Sequence, residues 1–376
     1  MSEQNAPEPD ACVECRRRSW LLAALSASLD FSAADRPRLN SLLALDDTAL
    51  IDALAGRRRA ELQAGYEAFE AGEPSGMAGE SICRHCTAFP RMLVDDPGLP
   101  WLLNISGAEG RERLAAGDPM VAIVGSRRAS DYGVEMASSV ARGVAASGMG
   151  VVSALGAGVA AASLAGTLEV DGGAVAVMSS GLGVSPTTGL RALYRGLLRS
   201  GCVVAELPDD CPGRRWGMVA SERIVAGLAD VVVVVEAEDK PTDLAVALVG
   251  QSLGRCVAAM PGRVTSPLSR GTHMLLRDGA QLVRGAEDVL ELLYTRGESA
   301  RSTPRLAAVA DASAAALEPR LAAVLERVGA GRDTPDSLTG EGADGDEVLC
   351  ALSELELLGL LARGEGGRYV PREPWG

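Results

Sequence analysis

Aromatic side chains are scarce in this sequence. Phe, Trp and Tyr make up 3% of its 376 residues, whereas hydrophobic residues as a class make up 47%. The predicted core is therefore aliphatic, and the chain is long enough for two or three domains. Lysine is nearly missing as well, since Lys240 is the only one and arginine carries almost all positive charge. We attribute this bias to the base composition of the gene rather than to function.

The sequence also lacks any segment typical of membrane insertion or secretion. No run of about 18 apolar residues occurs, and residues 1–12 do not show the basic and then apolar pattern of a signal peptide. We therefore expect a cytoplasmic protein without membrane contact. The net charge of −14 argues against a protein that coats nucleic acid by bulk electrostatics. A local basic groove stays compatible with that charge, because salt screens charges beyond about 8–10 Å.

Four of the eight cysteines form two Cys-x-x-Cys pairs. Cys12 and Cys15 form the first pair, and Cys83 and Cys86 form the second. In a cytoplasmic chain such pairs are poor candidates for disulfides, and together they supply the four thiolates of a tetrahedral zinc site. His85 lies inside the second pair and could replace one thiolate. The sequence thus predicts a structural zinc ion at these residues, with unrelated reduced thiols as the alternative.

Apolar strands alternate with helical patterns between about 119 and 294, which predicts an α/β domain. The segment Val231–Glu236 is almost entirely valine, as expected for a strand of a parallel sheet that helices cover on both faces. The other predicted strands are Val121–Val124, Val151–Leu155, Ala174–Met178, Val203–Leu207 and Cys256–Met260.

Four regions follow one another along the chain. Residues 1–107 show short amphipathic helices and a proline-rich connector, and residues 108–294 form the sheet domain. A linker covers 295–316, and residues 317–376 show three helical patterns and a hairpin, which is the pattern of a winged helix. The third helical pattern is acidic, so we expect this domain to bind protein rather than duplex DNA. Its acidic residues are Asp346, Glu347, Glu354 and Glu356.

The turn after the first strand of the sheet domain has the residues of an anion-binding site. This turn, Gly125–Arg128, precedes a helix that starts near Asp131. Glycine lets a phosphate approach the backbone, the helix N-terminus presents N–H groups, and arginines add fixed charge. We predict that the turn holds a phosphate-bearing ligand. The alternative is an ordinary glycine turn with solvated arginines.

Six segments of the sheet domain occur in the order and spacing of a known family. They are VAIVGSRRASDYG, VVSALGAGVAAASLAGTLEVDGG, CVVAELP, RIVAGLADVVVVVEA, GRCVAAMPGRVTSPLSRGTHMLLRDGAQLV and AEDVLELL. In these segments the chain resembles the DNA-processing protein A family (DprA, also called Smf). The resemblance implies an extended Rossmann-like sheet domain and single-stranded DNA as the ligand. It also implies a homodimer that protects incoming DNA and helps to load the RecA recombinase during natural transformation, without bond chemistry.

The resemblance implies a set of DNA-binding residues as well. The matching positions are Gly125, Ser126, Arg127, Arg128, Gly158, Arg223, Ser266 and Gly271. Other positions of the family's pattern are replaced in this chain: polar ones at Ala160, Leu164, Gly189 and Glu222, and an aromatic one at Met218. One interpretation is a divergent member that binds single strands through these arginines, with Arg214 and Arg215 as further candidates. The other is a paralogue that keeps the fold and the partner surface but binds DNA weakly, with Glu222 repelling phosphate.

Enzymatic interpretations fit the motifs less well. Phosphoribohydrolases of nucleoside monophosphates resemble this sheet but use a Pro-Gly-Gly-x-Gly-Thr loop, where this chain has Pro261-Gly262-Arg263. A dinucleotide-binding Gly-x-Gly-x-x-Gly motif is missing after the first strand. Glu206 and Glu236 each end a strand, where they could act as an acid–base pair or hydrogen-bond loop N–H groups and orient arginines. We expect the second role, no enzymatic activity and no nucleotide cofactor.

Overall fold

The computed structural model describes residues 11–69, 80–94, 96, 98–108 and 110–295, and, further on, 319–329, 334, 338, 345–357, 361–363 and 369–371. The chain divides into two compact units, Met1–Thr295 and Arg296–Gly376. The predicted border between residues 107 and 108 therefore lies inside the first unit, and the predicted linker 295–316 lies outside the described residues except for Thr295.

A nine-stranded sheet forms the centre of the first unit. Its strands are β1 (Glu80–Cys83), β2 (Leu102–Ser106), β3 (Met120–Val124), β4 (Gly150–Ala154), β5 (Ala174–Val177), β6 (Cys202–Ala205), β7 (Val231–Val234), β8 (Cys256–Ala259) and β9 (Gln281–Leu282). They lie in the order β1-β2-β6-β5-β4-β3-β7-β8-β9. The pairs from β6 to β9 are parallel, whereas β2 is antiparallel to both β1 and β6. The predicted extended Rossmann-like sheet and all six predicted strands are confirmed.

Helices cover both faces of this sheet. They are α6 (Gly110–Ala115), α7 (Asp131–Ala146), α8 (Val159–Leu168), α9 (Arg191–Ser200), α10 (Arg215–Leu228), α11 (Pro241–Ser252), α12 (Arg270–Arg277) and α13 (286–295). Successive residues of β3 point to opposite faces. Val124 packs in a core cluster with Ile224 of α10, whereas Ile123 packs in a second cluster with Val140 of α7. Burial on both faces explains why β3, β5, β6 and β7 are apolar throughout. The exposed parallel strand β9 contains Gln281 instead.

Five short helices at the N-terminus pack against the same domain. They are α1 (Val13–Ala24), α2 (Ser26–Ser32), α3 (Arg36–Leu43), α4 (Asp47–Leu54) and α5 (Arg59–Glu67). Their leucines share a core with Trp216 of α10. The Trp216 indole N–H also donates to the Ser26 hydroxyl at 2.7 Å. The N-terminal helices are therefore a support for α10 rather than a separate region. Single-turn 3-10 helices occur at Gly56–Arg58, Arg91–Leu93, Thr188–Leu190 and Pro267–Ser269.

The second unit contains α14 (Pro319–Gly329), α15 (Gly345–Leu357) and the antiparallel strands β10 (Leu361–Arg363) and β11 (Tyr369–Pro371). Leu352 of α15 is fully buried among apolar residues of all four elements. The first and third predicted helices and both hairpin strands are thus present. The second helix, apart from Thr334 and Leu338, and the hairpin turn lie outside the described residues, so the winged helix stays a prediction. Among the described helices of the whole chain, none is long and apolar enough to cross a membrane.

Candidate nucleic-acid interface

The predicted phosphate-binding turn lies where the strand order reverses. The chain passes from β3 to β4 and β5 on one side, and later adds β7 and β8 on the other side of β3. The loops that follow β3 and β7 lead to helices on opposite faces of the sheet, α7 and α11, and open α/β sheets bind ligands in the crevice at such a point. Gly125–Arg128 directly follows β3 at this edge. We use the name switch-point rim for Gly125–Arg128, Gly158 and the segment Ser266–Gly271, which leads into α12.

Hydrogen bonds bring these three segments together around the end of β7. The Ser126 N–H donates to the Glu236 carbonyl at 2.6 Å, and the Val159 N–H donates to the Ser126 carbonyl at 3.2 Å. On the other side, the Gly271 N–H donates to the Ala237 carbonyl at 2.9 Å. The structure therefore groups the predicted DNA-binding residues other than Arg223 around the end of β7, with Ser126 and Gly271 themselves buried.

The two glycines of the rim are required by the protein's own backbone. Gly125 has a φ of +155°, and a Cβ there would lie 2.4 Å from the Glu236 carbonyl oxygen. Gly158 has a φ of +71°, and its Cβ would lie 2.2 Å from the Ser126 carbonyl oxygen. Side chains at these positions would push the turns apart. Close packing of neighbouring turns, rather than the approach of a phosphate, thus accounts for both glycines.

The N-terminus of α7 already holds an anion. The Glu236 carboxylate accepts hydrogen bonds from the Ser130 N–H at 2.9 Å and from the Ser130 hydroxyl at 2.7 Å. The same hydroxyl oxygen accepts the Gly133 N–H as the N-cap of the helix. A carboxylate in this position is favoured by the helix dipole. An internal carboxylate therefore takes the place that the sequence analysis gave to a bound phosphate. The N-terminus of α8, which starts after Gly158, has no side-chain cap.

Two arginines of the rim and two neighbouring arginines at the start of α10 form a positive surface. Arg127 and Arg128 are exposed on the turn after β3, and Arg214 and Arg215 are exposed where α10 begins. The two pairs are neighbours, because an Nη atom of Arg127 lies 3.9 Å from the sulfur of Met218 in the first turn of α10. Within the described part of the chain, no carboxylate forms an ion pair with any of the four. Sequence reasoning missed one further exposed cation of the rim, Arg270, which precedes Gly271.

Arg223 lies away from this surface. Its guanidinium donates to both carboxylate oxygens of Glu206 and to the Gly98 carbonyl. The two ionic side chains are only 5% and 6% exposed. Glu206 thus orients an arginine, as the sequence analysis expected. The prediction that Arg223 contacts DNA does not agree with this position, since a buried, paired guanidinium is unavailable to a phosphate.

Glu222 is also internal to the fold. Its carboxylate pairs with Arg36 of α3, and the two side chains are 15% and 25% exposed. Burial raises the pKa of the Glu222 carboxyl, and the Arg36 guanidinium acts in the opposite direction. Because Arg36 balances its charge, Glu222 is not the uncompensated negative charge that the sequence analysis placed beside the phosphates. The pair joins α3 to α10.

The cysteine pairs lie at one end of the strand order, at the edge strand β1, away from β3 and β7. Cys12 precedes α1, Cys15 is in its first turn, Cys83 ends β1, and His85 follows in the next turn. The sulfur and imidazole donor atoms of these four residues lie within 4.8 Å of one another, so the cluster could hold a metal ion. The hydrogen bond between the Cys15 and Cys83 side chains raises the pKa of the Cys15 thiol and lowers the pKa of the Cys83 thiol to about 4. The structure groups His85, rather than Cys86, with the other three donors.

Comparison with known proteins gives the family. Residues 80–294 match the family model of DNA recombination-mediator protein A. A DprA relative from Mycobacterium tuberculosis is 34% identical over 249 residues, which are 66% of this chain and 63% of the relative. This chain therefore spans less than two thirds of that relative's length. Protein Smf of Escherichia coli is 31% identical over 287 residues, which are 75% of this chain and 74% of Smf.

Solved structures agree in fold. The X-ray structure of DNA processing protein A from Streptococcus pneumoniae superposes with a TM-score of 0.61 at 24% identity, over 75% of this chain and 98% of the other. A structure of the Helicobacter pylori protein, described for its single-stranded DNA binding mode, gives 0.50 at 23% identity, over 59% of this chain and 99% of the other. Because the family model covers more than half of the 376 residues, the chain belongs to the DNA recombination-mediator protein A (DprA/Smf) family.

Proposed function

We propose that this protein binds single-stranded DNA along the switch-point rim. The observation that carries the proposal is the group of four exposed arginines, Arg127, Arg128, Arg214 and Arg215, which meet at the carboxyl edge of the sheet without carboxylate partners among the described residues. Guanidinium groups bind phosphate oxygens in a bidentate manner. Membership of the family supports a DNA ligand, and the single-stranded DNA binding mode described for the H. pylori protein supports the single strand.

Phosphate contacts should dominate this binding. Each phosphate neutralised on a single strand contributes about 0.7 to the slope of log affinity against log salt, so four contacts give a slope of about −3. Base stacking adds little, because the rim has few aromatic side chains; Tyr132, 46% exposed in the first turn of α7, is the aromatic candidate there. We therefore expect moderate affinity with strong salt dependence. Glu206 and Glu236 are buried and hydrogen-bonded, which favours binding over acid–base catalysis.

We extend the proposal to the family role implied by the sequence: a homodimer in the cytoplasm that protects incoming single strands and helps to load RecA during natural transformation. The helix α15 suits a protein partner better than duplex DNA, since its described charges are the exposed Glu356 and Glu354, which pairs with Arg320 of α14. This role needs the full chain, because the rim and α15 lie in different units.

Titration of labelled oligonucleotides tests the DNA-binding proposal. The full chain is titrated with single-stranded and duplex oligonucleotides of equal length at several salt concentrations, and anisotropy is measured. We expect tighter binding of the single strand and a slope near −3. No single-strand affinity even at low salt would contradict the proposal and favour the weakly binding paralogue.

Strand loading needs its own assay. RecA is added to single strands covered by single-stranded DNA-binding protein, with and without the full chain, and DNA-dependent ATP hydrolysis is followed. A shorter lag with the full chain supports the role in loading. An unchanged lag, in a protein that binds single strands, would contradict that role alone.

A further inference from the structure

We propose that Cys12, Cys15, Cys83 and His85 bind one zinc ion, which fastens the first helix to the edge strand of the sheet. The site lies at β1, whereas the switch-point rim lies between β3 and β7. It is therefore separate from the proposed DNA-binding surface.

The donor atoms have the spacing of a tetrahedral site. The Cys12 and Cys15 sulfurs lie 3.2 and 3.6 Å from Nδ1 of His85, and all four donors lie within 4.8 Å of one another. Zinc–sulfur bonds of about 2.3 Å and zinc–nitrogen bonds of about 2.0–2.1 Å place tetrahedral donors roughly 3.5–3.8 Å apart. Small side-chain movements would thus be enough for all four donors to bind one ion. Three soft thiolates with one imidazole favour zinc over a hard cation such as magnesium.

His85 is the fourth ligand on the same geometric grounds. The Cys86 sulfur lies 3.6 Å from the Cys83 sulfur and accepts the Cys83 N–H at 3.4 Å. Cys86 is not among the four residues whose donors lie mutually within 4.8 Å. The Cys86 sulfur instead accepts a hydrogen bond from the backbone N–H of Cys83. The sequence spacing alone left this choice open, because both residues follow β1 within three positions.

Backbone hydrogen bonds prepare the site for a thiolate. The Cys12 N–H donates to the Cys83 sulfur at 3.4 Å, across a sequence separation of 71 residues. N–H donors to sulfur stabilise the negative charge that a zinc-bound thiolate carries. Cys15 and Cys83 form a small buried cluster with the apolar side chains of Ala11 and Leu102. Such a shell limits the access of water to the metal.

The zinc ion would hold the N-terminal helices in place. Cys12 and Cys15 lie at the start of α1, and the following helix α2 contacts α10 through the Ser26–Trp216 hydrogen bond. A metal bond between α1 and β1 closes a loop of about 70 residues, which restricts the unfolded chain. Loss of the ion should therefore loosen the support of α10 while the parallel strands stay folded.

Metal analysis of the full-length wild-type protein tests the proposal without any substitution. Protein purified under reducing conditions is analysed for zinc, and its X-ray absorption spectrum is recorded. We expect about one zinc per chain, with three sulfur neighbours at about 2.3 Å and one nitrogen at about 2.0–2.1 Å. A protein that holds no zinc, even after addition of Zn²⁺, would overturn the site, as would a disulfide between these cysteines. Four sulfur neighbours would overturn the assignment of His85.

Matched variants assign the ligands. Cys12→Ser and His85→Ala should lose the stoichiometric zinc and lower the melting temperature, whereas Cys86→Ser should keep the metal. Cys350→Ser is the control, because Cys350 is exposed in the second unit. Loss of zinc in Cys86→Ser together with retention in His85→Ala would contradict the proposed ligand set. These readouts do not depend on DNA, so failure of the zinc site and failure of the proposed function are distinguishable.

Discussion

Replacing Arg223 with methionine should destabilise the protein without removing a DNA contact. Methionine keeps an unbranched apolar side chain but leaves the buried Glu206 carboxylate without its ionic partner and the Gly98 carbonyl without its donor. Removing one member of a buried ion pair costs about 3–5 kcal/mol. We expect the free energy of unfolding to fall by about that amount. This is a large fraction of a typical total of about 5–15 kcal/mol.

Urea denaturation followed by tryptophan fluorescence measures this change. Trp216 is fully buried on α10, the helix that also carries Arg223, so its emission reports the relevant part of the first unit. The double variant Arg223→Met, Glu206→Leu removes both charges and should regain much of the lost stability, because buried pairs tolerate apolar replacement far better than the loss of one partner. The coupling between the two substitutions is the sign of a direct pair.

The opposite result would refute this reasoning. If Arg223→Met unfolds at the wild-type urea concentration but no longer binds single strands at low salt, Arg223 faces DNA. In that case the family pattern would have given its role correctly. The stability of Arg223→Lys should lie between those of the wild type and Arg223→Met, because a lysine keeps the charge but cannot reproduce the bidentate contact with Glu206.

Two further substitutions and one truncation test the turn at Gly158, the Arg36–Glu222 pair and the role of the second unit. Gly158→Ala places a Cβ 2.2 Å from the Ser126 carbonyl oxygen, so we expect a lower melting temperature and weaker single-strand binding by anisotropy; no change in either would contradict the tight turn. Glu222→Gln leaves Arg36 without its ionic partner and should lower the free energy of unfolding by about 1–3 kcal/mol in urea titrations. Tighter DNA binding at unchanged stability would show instead that Glu222 faces phosphate. A chain that ends at Thr295 should keep its single-strand affinity but lose partner binding or self-association, and a large loss of affinity would place DNA contacts in the second unit.

Six of the seven parallel strands were predictable because they are buried on both faces, whereas the exposed strand β9 was not predicted. Such strands appear in the sequence as runs of Val and Ala between turn residues, as in β3 and β7. The antiparallel extension was not predictable in this way. Ser81 of β1 and Asn104 of β2 interrupt the apolar pattern, yet they are buried and hydrogen-bonded to each other at 2.8 Å. These buried polar side chains find hydrogen-bond partners only when β1 and β2 pair in the folded protein.

The candidate site, like the fold, was only partly predictable from the sequence. Local signals found Gly125–Arg128, because a glycine turn between a strand and a helix depends on neighbouring residues alone. The partners of Arg223 and Glu222 were hidden, since Glu206 belongs to another element and Arg36 is 186 residues from Glu222. A family pattern gives residue types at positions, and it does not give the direction in which a side chain points. The sequence therefore gave the position of the turn after β3, but it gave two charged residues of α10 roles that their contacts contradict.

Arg127 offers the most direct test of the proposed rim. Single-stranded oligonucleotides are titrated against the wild type, Arg127→Ala and Arg199→Ala at several salt concentrations. Arg199 is the control, because it is exposed in the last turn of α9, which leads to the start of β6 and thus to the opposite edge of the sheet. We predict that Arg127→Ala weakens binding at low salt and reduces the salt slope by about 0.7–1 unit, while Arg199→Ala matches the wild type. Equal slopes for all three proteins would contradict the claim that DNA phosphates contact the switch-point rim.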